Sequence, residues 1–223
     1  MGIAFDPSLM VKYLPLLFQA SLITIQLTVL AVFFGTIIGL LSALGKMSQN
    51  LALRWFFISY IEFIRGTPLL VQLFLGYFGV GGLLGQSQNM FWTAVIVCSI
   101  NSGAYIAEIF RAGIQSIDKG QSEAARSLGM SQFKSFRYII LPQAFKRVIP
   151  PLGNEFITML KDTSLVALIG MTELFRQGQL IVARNYAAFE IYLTVALIYF
   201  VLTLPISRWV VYMERKMSTG DKH

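Results

Sequence analysis

Asn154, Glu155, Thr158 and Asp162 place polar groups inside a stretch that otherwise reads as apolar. Positions 155, 158 and 162 fall on one helical face, with a rise of about 10 Å from first to last. Asn101, Tyr105 and Glu108 repeat the pattern at i, i+4 and i+7 in another apolar run, and Thr67 and Gln72 flank the break expected at Gly66-Thr67-Pro68. Such groups can hold a polar solute by hydrogen bonds and charge, or join helices to one another. For Asn101, Thr67 and Gln72 both readings stay open. Glu155 is expected to act on a solute, because an unpaired acid at mid-membrane is expensive. No unpaired cation is expected to face Glu155 and Asp162 from the second or third apolar run, so the path should favour cations. Asp162 adjoins Lys161 and fits an outer gate or an ion pair equally. Glu62 and Arg65, and Glu108 and Arg111, stand at i, i+3, which suggests an ion-pair network knitting runs two and three; Glu108 reaches a solute only if the path extends inward.

Covalent chemistry has little to work with. The one histidine, His223, is terminal, and the one cysteine, Cys98, lies in an apolar run. That disfavours a His-based triad, a metal site and a disulfide framework. "GLLSALGKM" (39–47) has five residues between its glycines and Met47 after Lys46, so it fails as a phosphate-binding loop.

The elements that must position these groups are membrane helices. The 223 residues are 56% hydrophobic and only 13% charged, in long apolar runs. The predicted fold is an all-α integral membrane protein with five spans: about Leu14–Leu44, Trp55–Phe78, Phe91–Phe110, one weak span within Leu141–Met171, and Tyr186–Tyr212. Gly35 and Gly39 form a GxxxG face, Pro205 predicts a kink, and Trp55, Trp92 and Trp209 sit where interfacial anchors belong. Lys12 is the only early cation, so the N-terminal run reads as a retained helix, not a cleaved signal. Lys46, Arg54, the cations from Arg111 to Arg147 and the Arg208–Lys222 tail share one side. Lys12, Lys161, Arg176 and Arg184 share the other, with an uncharged Gly79–Asn89 loop. The bias puts the N-terminus outside and the C-terminus in the cytoplasm. The net charge of +7 is thus a matter of topology, not of nucleic acid.

The most polar stretch, "EAARSLGMSQFKSFRYIILP" (123–142), falls between spans three and four. Ser122 is expected to cap a short helix through Glu123, Ala124, Ala125 and Arg126, ended by Gly129, with a second polar helix running to Leu141-Pro142. By pattern alone it fits a solvated connector or a docking helix.

The spacing EAA, three residues, Gly129, nine residues, Ile139, one residue, Leu141-Pro142 resembles the EAA loop of permease subunits of type I ATP-binding cassette importers. "EFIRGTPLLVQLF" (62–74), "AYIAEIFRAGIQSIDKGQ" (104–121) and "LPQAFKRVIPPLGNEFITMLKDTSL" (141–165) are similar to the polar-amino-acid branch, so the resemblance covers nearly the whole chain. It implies one permease domain (1–223) with its coupling loop at about 115–142. It also implies a multi-pass protein of the bacterial cytoplasmic (inner) membrane that moves substrate by alternating access and is not itself an enzyme. The implied partners are a second permease subunit (a homodimer is expected), two ATPase subunits that bind the ATP and magnesium, and an extracytoplasmic amino acid-binding protein. Glu123, Ala124, Ala125, Arg126 and Gly129 would form the coupling helix to the ATPase. The acids on the path favour arginine, lysine or histidine as cargo. Glutamine, glutamate or cystine remain alternatives, as does a stand-alone channel or ion-coupled carrier.

Overall fold

The computed structural model describes residues 5–80 and 89–218. Within them the chain is all helix and turn. The Gly79–Asn89 loop falls mostly outside the described residues, as does His223.

Helix α1 (Pro7–Lys46) starts where the Asp6 side chain accepts from the Ser8 amide and Pro7 takes the first turn, a position that needs no donor. It packs along α4 (Met90–Gln115) for much of its length. The expected glycine face makes this contact: a Cβ at Gly39 would lie 2.7 Å from Ile106 Cγ2, and one at Gly103 of α4 would lie 2.7 Å from Ile38 Cγ2. Backbones this close gain the dispersion contacts that replace the hydrophobic drive between helices in lipid.

The second run is not one straight span. Helix α2 (Leu51–Arg65) stops at Gly66, and α3 (Leu69–Phe74) leaves at 105° before widening into a π turn over Leu75–Val80. Pro68 cannot donate to a continuing helix and biases Thr67 away from helical geometry.

After α4 come the short helices α5 (Lys119–Ser127) and α6 (Gln132–Ser135), then a π turn (Phe136–Ile140) that runs directly into α7 (Leu141–Asp162). Two expectations change here. Asp118, not Ser122, caps α5 by accepting from the Gly120 amide at 2.7 Å, so the helix begins earlier. The second polar helix also does not end at Leu141-Pro142. Pro142 sits in the first turn of α7, where its missing donor is tolerated, and the π turn ahead of it keeps the chain helical.

Helix α7 tightens into a 3-10 turn (Thr163–Ile169) closed by Gly170 at φ 91°, and α8 (Leu174–Asn185) follows. Helix α9 (Ala188–Ser218) runs as one helix through Pro205. Among the described residues, three helices are long and apolar enough to span a membrane alone, and up to five spans result if each of two bent pairs counts as one.

Glu173, which the sequence reading passed over, is fully buried and joins three helices. It caps α8 by accepting from the Arg176 amide at 2.8 Å, and it accepts from Thr24 of α1 and Tyr199 of α9 at 3.1 Å each. A buried carboxylate is tolerated because its oxygens are met by donors.

Candidate functional site

The break between α2 and α3 leaves carbonyls that a helix would have satisfied. Gln72, one turn into α3, supplies the donors. Its Nε2 reaches Ile64 O at 2.8 Å, Thr67 O at 3.1 Å and Thr67 Oγ1 at 2.9 Å. Its Oε1 accepts from Asn101 Nδ2 of α4 at 3.0 Å. Thr67 Oγ1 also donates to Phe63 O at 2.9 Å. Gln72 and Asn101 are buried, and their amides hold the break in place and fasten it to α4. For these residues the geometry favours the structural reading, although Thr67 and Asn101 also border a cavity.

That cavity, about 480 Å³, lies between the α2–α3 break, α4 and α7. Its polar rim includes Arg65, Tyr105, Glu155, Thr158 and Asp162. The volume is within the roughly 300–1,000 Å³ usual for small-molecule sites. A second cavity of about 510 Å³ extends toward the C-terminal end of α4, bordered by Glu108, Ser116 and Arg147 and again by Arg65, Tyr105 and Glu155. Those last three residues form the junction of the two spaces. Asn154 is exposed and borders neither cavity.

Three expectations are corrected. Glu155 is not unpaired: Ser102 Oγ of α4 donates to its Oε1 at 2.8 Å, leaving the other oxygen for further partners. The acids do face a cation from run two, because Arg65 borders the same cavity as Glu155 and Asp162. Its guanidinium lies 5.3 Å from the centroid of the Tyr105 ring, within the range of a cation–π contact. The ion-pair network joins α4 to α1 rather than to α2. Glu108 binds Lys46 at 2.5 Å and Arg111 at 2.7 Å, while among the described residues Glu62 and Arg65 form no ion pair. Two cations on one carboxylate leave Glu108 little negative charge to offer a solute, although it borders the second cavity.

Ser102, Lys46 and Arg65 are the residues that sequence reasoning undervalued. Ser102 could have been flagged only as a small polar neighbour of Asn101. Lys46 looked like a loop cation, and its reach to α4 depends on the tight α1–α4 contact. Arg65 carried a usable signal, since it immediately precedes the break.

Helix α5 carries Glu123, Ala124 and Arg126 on exposed positions, with Ala125 buried. Its end is a Schellman turn: Gly129 N donates to Arg126 O at 2.9 Å and Met130 N to Ala125 O at 3.1 Å, with Gly129 at φ 84°. Leu128 is 86% exposed and Phe133 68%, so the turn presents apolar side chains outward. Among the described residues no cluster of three or more His, Cys, Asp or Glu is placed to hold a metal.

A helical bundle with a polar cavity and a capped, largely exposed helix fits a transport component. The chain belongs to the family of binding-protein-dependent transport system inner membrane components, whose pattern matches residues 35–219. It is therefore a transport subunit embedded in the bacterial inner membrane, one component of a multi-subunit system, and not an enzyme. It is 42% identical over 214 residues to the glutamine transport system permease protein GlnP of Escherichia coli K12, covering 96% of this chain and 98% of that one. It is 38% identical over 216 residues to the arginine transport system permease protein ArtQ of Bacillus subtilis, covering 97% and 99%. A crystal structure of an amino acid ABC transporter with histidines superposes with a TM-score of 0.91 at 48% identity, over 96% of this chain and 100% of that one.

Proposed function

We propose that this chain forms the translocation path of an ATP-driven importer for polar amino acids, with a preference for arginine, lysine or histidine. The carrying observation is the cavity shared by Glu155, Asp162 and Arg65. With both carboxylates ionised these groups sum to one net negative charge. A zwitterion with a cationic side chain cancels it; glutamine leaves it uncancelled, and glutamate doubles it. Relatives named for arginine and for glutamine transport support amino acids as cargo. Glutamine is the second reading, favoured by the E. coli relative.

In this reading residues 1–223 are one permease domain, with the N-terminus outside and the C-terminus in the cytoplasm, as the Lys and Arg distribution favours. Helix α5 with its Gly129 turn is the coupling element that docks on an ATPase subunit. Two copies of the chain pair in the membrane, and an extracytoplasmic binding protein delivers the amino acid. Alternating access then exposes the two cavities in turn, with Arg65, Tyr105 and Glu155 between them.

The test is substrate-stimulated ATP hydrolysis by the reconstituted complex across L-arginine, L-lysine, L-histidine, L-glutamine and L-glutamate. A basic amino acid should half-stimulate at a concentration at least about tenfold below that of glutamine, the equivalent of ~1.4 kcal/mol. Equal or stronger stimulation by glutamine would move the specificity to the second reading.

A further inference from the structure

We propose that Arg65, in cation–π contact with Tyr105, is the receptor for the α-carboxylate of the transported amino acid. The inference rests on the amino acid reading above and adds how the site recognises the part common to every amino acid.

Other cations at the second cavity are engaged. Lys46 and Arg111 bind Glu108, and Arg147 Nη1 donates to Ser116 O at 2.9 Å. Arg65 differs. Among the described residues its donors meet no acceptor, and its contact is with the Tyr105 ring. Glu62, one turn earlier, does not pair with it. A guanidinium carries five N–H donors in a plane that matches a carboxylate through two parallel bonds. A cation–π contact with the Tyr105 ring leaves those donor edges free. The position is also fixed, because Arg65 ends α2 directly before a break that Gln72 ties to Asn101.

Among the described residues, Arg65 is the one cation bordering the cavity that holds Glu155 and Asp162. A neutral or basic amino acid presents one anionic group and one or two cationic groups, and the cavity offers the opposite set. Arg65 therefore takes the carboxylate, leaving Glu155 and Asp162 for the α-ammonium and the side chain. A decarboxylated or amidated analogue keeps the attraction to the acids and loses this contact.

Equilibrium binding to the detergent-purified permease–ATPase complex, without the binding protein, tests the assignment. L-arginine should bind more tightly than argininamide, on the order of 10- to 100-fold, as expected for a charge-assisted pair. Arg65→Gln should erase or reverse that preference, weakening L-arginine but not argininamide, while Arg65→Lys should retain part of it. Equal losses for both ligands, or no loss for either, would overturn the receptor role while the cavity remains a binding site. If the parent complex binds neither L-arginine nor L-glutamine, the cavity reading itself fails and the receptor role goes with it.

Discussion

Gly129→Val is expected to abolish transport and substrate-stimulated ATP hydrolysis while the protein still inserts in the membrane. Gly129 sits at φ 84° in the turn that ends α5. A Cβ there meets nothing within 4 Å, so the effect arises from backbone conformation and not from a clash. Left-handed geometry costs an L-residue about 1–2 kcal/mol, and a β-branched one more. The cheaper response is to open the two hydrogen bonds from Gly129 and Met130 back into α5. In the proposed assembly that swings exposed Leu128 and the face bearing Glu123 and Arg126 away from the ATPase subunit. The transmembrane helices do not depend on this turn, so insertion and the cavity should survive. Gly129→Asn is the control, since asparagine tolerates the left-handed region, and it should keep most coupling. Normal stimulated hydrolysis by inserted Gly129→Val protein would count heavily against α5 as the docking element.

Glu155→Gln should lower arginine uptake much more than residual glutamine uptake. The amide keeps the shape and can still accept from Ser102, so helix packing between α4 and α7 is retained. What is lost is a negative charge at the junction of the two cavities. In a partly desolvated site, losing a charge-assisted contact costs about 1.5–3 kcal/mol, or on the order of 10- to 100-fold in affinity for a cationic side chain. A neutral amide side chain forgoes less. Arginine uptake that stays unchanged, with the same dependence on external pH, would remove Glu155 from the recognition of charge.

The apolar runs and the positions of Gly and Pro made the helices legible, because a bilayer leaves few other ways to satisfy the backbone. The break at Gly66-Thr67-Pro68 was readable for the same local reason, but not its 105° angle, which depends on how Gln72 reaches both sides of it. Gly129 was readable as a helix end because its role is conformational and local. Pairings between distant segments were not. Glu108 with Lys46 spans 62 positions, and Ser102 with Glu155 spans 53. Helical spacing placed Glu108 beside Arg111 correctly, yet it could not show that α1 would bring Lys46 to the same carboxylate. The same limit hid Arg65. Its i, i+3 relation to Glu62 suggested a closed pair, whereas the turn at Gly66 leaves the guanidinium beside Tyr105 of α4.

The most direct measurement of the central claim is a cryo-electron microscopy map of the permease–ATPase complex with saturating L-arginine. The account predicts density for one amino acid per permease chain between Arg65, Glu155 and Asp162, its carboxylate toward Arg65 and its side chain toward the acids. A map in which that cavity stays empty while arginine sits elsewhere along the chain would contradict it.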